Sequence, residues 1–347
     1  MFFENDEELI NNFHRNSGHS PNSVKAYRVV FNKYRDYHQM SLHSLLKEAI
    51  FEQESNVPEH KLKIYDRIMD FRNFLVKRHI GNTITNSISK IKTFYRYNRV
   101  YLPFIPPLNV KNIKKNPPIA FDELLTKEDF RNALALADDD LGLWILVMLS
   151  SGATRREAKS MTNETLFRGT YAYHRKDDFG DAMEYLASSD NVICTCKLVR
   201  SKTDTPYYTF LNPECVRKIA EVKIRHVDFD FKSCLLKYNL NHVNHKCRRI
   251  NDELGLGNVG GFSKFRPHMI RKFHATQLNQ GSLESGLAMD LVDMLHGRIK
   301  SRTRNAYFKD NPDYLKLKYV QVMNNISLYH TYGWEIRDGE ITVKVLK

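Results

Sequence analysis

His268 and Arg271 stand three positions apart in the run Pro267-His268-Met269-Ile270-Arg271-Lys272-Phe273-His274-Ala275-Thr276. On a helix this spacing puts both side chains on one face, one turn apart. A guanidinium that never deprotonates, next to an imidazole that titrates near neutrality, can hold a phosphate and take a proton beside it. Downstream, Met294-Leu295-His296-Gly297-Arg298 adds a second guanidinium, and Tyr307 follows Arg298 by nine residues. A phenol can attack phosphorus once deprotonated, and neighbouring cations draw its usual pKa of about 10 downward. Breaking a phosphodiester without a metal needs a nucleophile, cations for the charge that develops, an acid for the leaving oxygen and a base.

The pattern Pro-His-x-x-Arg-Lys-Phe-x-Ala-Thr-x-Leu resembles the second conserved box of the tyrosine recombinases, the phage-integrase family of DNA strand-exchange enzymes. That resemblance implies a division of labour among two arginines, a lysine on a β-hairpin, one or two histidines or their substitutes, and a tyrosine. Arg271 would hold a phosphate oxygen, His268 would take or relay the tyrosine proton, and His274 would be structural. Lys202, between two β-prone runs, would protonate the leaving 5′-oxygen, with Lys197 on the strand as the competitor. Arg298, or His296 if the turn is shifted by two residues, would fill the next position. Tyr307 would be the nucleophile, with Tyr314 and Tyr319 as nearby alternatives among the 18 tyrosines. The first arginine departs from the family pattern. In Gly152-Ala153-Thr154-Arg155-Arg156-Glu157 the expected position, three before the glutamate, is Thr154. A variant spacing gives Arg155, with Arg156 as the fallback.

These side chains need elements to carry them. Ser20-Pro21-Asn22-Ser23 is a capping cluster, and Val24, Tyr27, Val30, Phe31 and Tyr34 then repeat at helical spacing. Ile64, Ile68, Phe71 and Leu75 predict a second helix to Arg78, and Ile84, Ile88, Ile91 and Tyr95 a third from Thr83 to Asn98. Lysines and arginines occupy the other faces. Pro103, Pro106, Pro107, Pro117 and Pro118 bracket Lys111, Lys114 and Lys115, which predicts a stiff basic linker. Leu141 to Leu149 reads as a buried helix. The runs 191–199 and 206–211, separated by Arg200 to Thr205, predict a hairpin. Helical patterns cover Pro213 to His226, Leu240 to Leu254, Pro267 to Gln280 and Ser285 to His296. In the tail, Asp338-Gly339 lies between short β-prone pieces, which could pair in cis or add a strand to a neighbouring protomer.

Composition narrows the partners. The 347 residues allow two domains, and 42% hydrophobic with 12% aromatic residues excludes a disordered chain. A formal charge of +13 calls for a polyanion, nucleic acid first and an acidic membrane surface second. Five cysteines without a compact framework fit a reducing compartment. His242, His245 and Cys247 match no standard zinc spacing, so neither a metal nor any other cofactor is expected. No apolar run approaches the roughly 18 residues of a membrane span, and the acidic start lacks a secretory signal's basic region.

The fold class expected is mainly α with a small antiparallel β element. The resemblance implies a helical core-binding (SAM-like) domain over 1–102, a linker over 103–119, a mixed α+β catalytic domain over 120–333 and a tail over 334–347. It further implies a site-specific recombinase or integrase of a mobile element, in the cytoplasm with the nucleoid, wrapping double-stranded DNA and assembling as a tetramer on it. A type IB topoisomerase and a non-catalytic DNA-binding relative are the competing expectations.

Overall fold

Short polar side chains start most helices of this fold, as at Ser20, which accepts from the Ser23 N–H at 3.3 Å, and Ser41, which accepts from Ser44 at 3.0 Å. The computed structural model describes residues 5–109, 113, 117–285, 290–298, 311–337 and 340–346. The chain divides into two units, Met1–Pro117 and Pro118–Lys347.

The first unit holds α1 (Asp6–Asn16), α2 (Pro21–His38), α3 (Leu42–Glu54), α4 (Lys63–Val76) and α5 (Gly81–Tyr97). Their apolar stripes meet in one core around Phe13, Phe31, Tyr34, Phe71, Phe94 and Tyr95. The stripes of α4 and α5 are buried as their spacing predicts, but on α2 only Val30, Phe31 and Tyr34 are; Val24 and Tyr27 are half-buried. The proline-rich stretch does more than connect. Ile105 and Ile113 enter the first core, and Arg72 donates to the Pro106 carbonyl at 2.6 Å.

The second unit begins with α6 (Lys127–Leu136), closed by a capping box between Thr126 and Asp129. Then comes α7 (Asp139–Ser151), buried continuously from Leu141 to Ser151. A helix apolar on every side belongs in the middle of a domain, and α7 is there. The short α8 (Arg155–Lys159) leads to α9 (Asn163–His174) and α10 (Phe179–Ala187). β1 (Cys194–Arg200) and β2 (Thr205–Leu211) form an antiparallel hairpin, with Leu198 opposite Tyr207 and Arg200 opposite Thr205. After α11 (Pro213–His226) and α12 (Leu240–Glu253), a two-rung ribbon of β3 (Asn258–Val259) and β4 (Phe262–Ser263) precedes α13 (Pro267–Glu284).

Pro267 at the start of α13 lacks only an N–H that the helix could not have used. Met269, Ile270 and Phe273 turn into the core, where burying each such side chain contributes roughly 1.5–3 kcal/mol. The Phe273 ring lies 4.9 Å from that of Phe130. Helices α7 and α13 pack together, with α11 and β2 also against α7. Within the stretch expected as a helix from Ser285 to His296, Ser285 instead caps the end of α13 and Leu291–Leu295 forms α14. α15 (Pro312–Val322) follows, and β5 (Tyr332–Arg337) pairs with β6 (Glu340–Val345) of the same chain. Mainly α with small antiparallel elements is therefore the fold class. No helix among the described residues is long and apolar enough to cross a membrane.

Candidate active site

The site forms where the C-terminal end of α7, the start of α13, the end of α14 and the β1–β2 hairpin converge. Gly152 ends α7 at φ +62°, a left-handed conformation that favours glycine. A Cβ there would lie 2.3 Å from His296 Nε2 and 2.5 Å from His274 Nδ1, so space as well as φ requires glycine. The carbonyl thus aimed outward accepts from Arg271 Nη1. Arg271 Nη2 reaches the His296 carbonyl at 3.4 Å, and Arg200 Nη1 reaches the same oxygen at 2.6 Å.

Glu157 is the carboxylate behind these cations, only 2% exposed. It closes the capping box of α8 by accepting from the Thr154 N–H at 2.8 Å. It also accepts from the Tyr207 hydroxyl at 3.1 Å and lies 3.8 Å from Arg271 Nη1. Burial, with Glu157 beside it, raises the Tyr207 pKa, so this phenol stays protonated and donates. One carboxylate and two neutral carbonyls therefore hold two adjacent guanidiniums. Two like charges about 5 Å apart repel by roughly 3 kcal/mol at an effective dielectric near 20. A bound anion would relieve that repulsion.

Beside Arg271 opens a cavity of about 410 Å³, lined among others by His268, Arg271, Lys272, Thr276, Arg298 and Phe121. No acidic side chain lines it among the described residues. Arg298 is exposed and pairs with Asp293 at 3.1 Å. His268 is exposed on the first turn of α13. Desolvation by its neighbours, then the charges of Lys272, Arg266 and Arg271, lower its pKa, which favours a neutral ring able to accept a proton.

The structure thus brings His268, Arg271 and Arg298 to one cavity. Lys202 is exposed in the turn between β1 and β2, at the tip where a hairpin was expected. Arg155 is elsewhere: its Nη1 donates to the Leu240 carbonyl at 2.9 Å, under α12. Arg156 is exposed. The His296 ring faces the core, with Nε2 2.9 Å from His274 Nδ1, so Arg298 and not His296 offers its side chain to the cavity. Tyr307 lies outside the described residues. Tyr319 is fully buried and donates to the Ser150 carbonyl at 3.0 Å, which removes it from the alternatives that DNA could reach, whereas Tyr314 is exposed. Cys247 is buried on α12, and no cluster of three or more metal-binding side chains occurs among the described residues.

Three contributors were not singled out from sequence. Glu157 served only to mark the missing arginine, Tyr207 read as an ordinary strand residue, and Arg200 read as the first residue of the turn, whereas it ends β1. The available signal was that both flank Lys202 on the hairpin expected to reach the phosphate.

No protein-family model and no curated protein matches the chain by sequence. By structure it is similar to the XerH site-specific recombinase bound to its difH substrate in a pre-cleavage complex. The TM-score is 0.51 at 14% identity, covering 90% of this chain and 83% of that one. XerH bound to palindromic difH in a post-cleavage complex gives a TM-score of 0.53 at 15% identity, with the same shares of 90% and 83%. The fold is that of the tyrosine recombinases.

Proposed function

We propose that this chain is a site-specific recombinase that cuts and rejoins double-stranded DNA through a 3′-phosphotyrosyl intermediate on Tyr307. The observation that carries the reading is the acid-free cavity where His268, Arg271 and Arg298 meet on a recombinase fold. In the proposed step the Tyr307 oxygen attacks the scissile phosphorus and gives its proton to His268. The P–O5′ bond breaks, and the 5′-oxygen leaves as a hydroxyl with a proton from Lys202. Arg271 and Arg298 offset the extra negative charge of the pentavalent phosphorane. The phosphotyrosyl ester keeps the energy of the broken bond, so a 5′-hydroxyl from a partner strand reverses the step without ATP or metal.

Exchanging both strands of two duplexes takes four cleavages, which is the reason for a tetramer on DNA. The charge of +13 supplies sequence-independent attraction to phosphates and a steep salt dependence. A second reading, a DNA-binding relative that does not cut, draws on Thr154 in place of the first arginine and on Arg155 held by Leu240.

The deciding experiment is covalent capture on a nicked duplex whose site the protein has selected from random-sequence DNA. Wild type is expected to give an adduct that mass spectrometry places on Tyr307, and Tyr307→Phe none. Tight, specific binding without any adduct would favour the non-cutting relative.

A further inference from the structure

At the turn that begins α8, Thr154 stands where the resemblance assigns the first arginine. Thr154 uses its side chain to cap the helix, accepting from the Glu157 N–H at 3.4 Å. Arg155, the next residue, is committed to the Leu240 carbonyl. Neither reaches the carbonyl of His296 on which Arg271 is anchored.

Arg200 does. It is the last residue of β1, and its Nη1 lies 2.6 Å from the His296 oxygen that Arg271 Nη2 also approaches. Two guanidiniums sharing one acceptor atom are immediate neighbours. Arg271 has Glu157 behind it, while no carboxylate lies within ion-pair distance of Arg200 among the described residues. Arg200 is also only half-exposed, so water screens it less than a surface side chain. A cation held next to another cation, without a counter-charge, marks a place prepared for an anion. The hairpin that carries Lys202 at its tip carries Arg200 two residues earlier, so one element would deliver both groups to the same phosphate.

We propose that Arg200 supplies a phosphate-facing guanidinium beside Arg271, in the role that the family pattern gives to the position of Thr154. The assignment rests on the strand-cleaving reading above. Guanidinium has five N–H donors in a planar fork. Nη1 can therefore keep the His296 carbonyl while the remaining N–H groups meet a non-bridging oxygen of the scissile phosphate. As the Tyr307 oxygen bonds to phosphorus and the P–O5′ bond lengthens, the two non-bridging oxygens gain charge, and Arg200 and Arg271 offset it together.

The test compares the selected duplex with one carrying a methylphosphonate at the scissile position, where one charged oxygen is replaced by a neutral methyl group. Covalent complex is measured for wild type, Arg200→Ala, Arg200→Lys and Arg155→Ala. On the phosphate, with DNA saturating, Arg200→Ala is expected to lose roughly 100-fold or more in the rate of covalent-complex formation. On the neutral phosphonate it should recover to within about tenfold of wild type, because the charge it can no longer offset is gone. Arg200→Lys should fall between, keeping the charge but losing the fork. A misfolded variant would fail on both substrates, so recovery separates electrostatics from damage. Phosphonate recovery by Arg155→Ala instead, with Arg200→Ala cutting phosphate normally, would overturn the assignment and return the role to α8. A wild type that binds but never cuts either duplex would overturn the strand-cleaving reading, and with it this one.

Discussion

His296 Nε2 stands 2.9 Å from His274 Nδ1, the two rings stacked at an interplanar angle of 27° with both residues fully buried. His296 Nδ1 has no hydrogen-bond partner among the described residues. Burial above all, with Arg271 nearby, lowers the His274 pKa to about 3, and burial and His274 itself lower that of His296.

Acid should therefore unfold this domain early. Both folded pKa values lie below the unfolded value of about 6.5, so the unfolded chain binds more protons at acidic pH. The stability is fully present above about pH 6.5 and is lost as pH falls toward 3, with His274 alone removing about 3 kcal/mol by pH 4. Denaturant melts between pH 7 and pH 4 check this, with the double variant His274→Phe/His296→Leu expected to flatten the profile. An equally steep profile in the double variant would locate the acid sensitivity in other groups.

Part of this architecture could be read from residue spacing, and part could not. Ile64, Ile68, Phe71 and Leu75 bury as a stripe because helical period is local information, and the β1–β2 hairpin followed from β-prone runs around a polar turn. Helix α3 was not singled out although its signal is local, with Ser41 capping the Ser44 N–H and Leu42, Leu45, Leu46 and Ala49 buried at helical spacing; what local spacing does not show is the support from α1. The N–H groups of Leu42 and His43 in its first turn are satisfied by Asp6, at 3.1 and 2.9 Å, from the start of α1. The placing of His268 and Arg271 together on one helix was legible from their spacing. The contact of Arg200 was not legible, because its partner is a main-chain oxygen 96 residues away.

Gly152→Ala should be among the most damaging small substitutions in the chain. Gly255 is its control: its φ of +61° matches, but a Cβ there meets nothing within 4 Å. The left-handed conformation alone should cost Gly255→Ala about 1 kcal/mol, whereas Gly152→Ala adds the clash with both histidines and should exceed about 3 kcal/mol. Thermal denaturation of the two variants gives the comparison directly. Equal losses would mean that the histidines move aside freely.

Glu157→Gln keeps an acceptor for the Thr154 N–H and removes only charge. Among the described residues Arg271 then has no carboxylate beside it, and a loss of about 1–3 kcal/mol in stability is expected. The site as a whole becomes more positive, so DNA affinity at low salt should hold or rise while cleavage falls. A joint fall in affinity and cleavage would point to a collapsed site and not to a misdirected Arg271.

In the first unit, a groove of about 400 Å³ runs along the face of α5 that carries Ser89, Lys92, Thr93 and Arg96. If this face lies on DNA, Lys92→Ala and Arg96→Ala should each lower the slope of log affinity against log salt by about one. Fluorescence anisotropy across a salt series measures it. Unchanged slopes in both variants would place the duplex on another face.

The acceptors that hold Arg271 and Arg200 are the carbonyl oxygens of Gly152 and His296. Every amino acid has a carbonyl, so no point mutation can delete these acceptors. Selection would act instead on chain path, at Gly152 and at Gly297 with its φ of +61°, where a Cβ would strike the Tyr207 ring at 2.6 Å. Across diverging descendants, the two glycines should outlast the identity of the residue at 296.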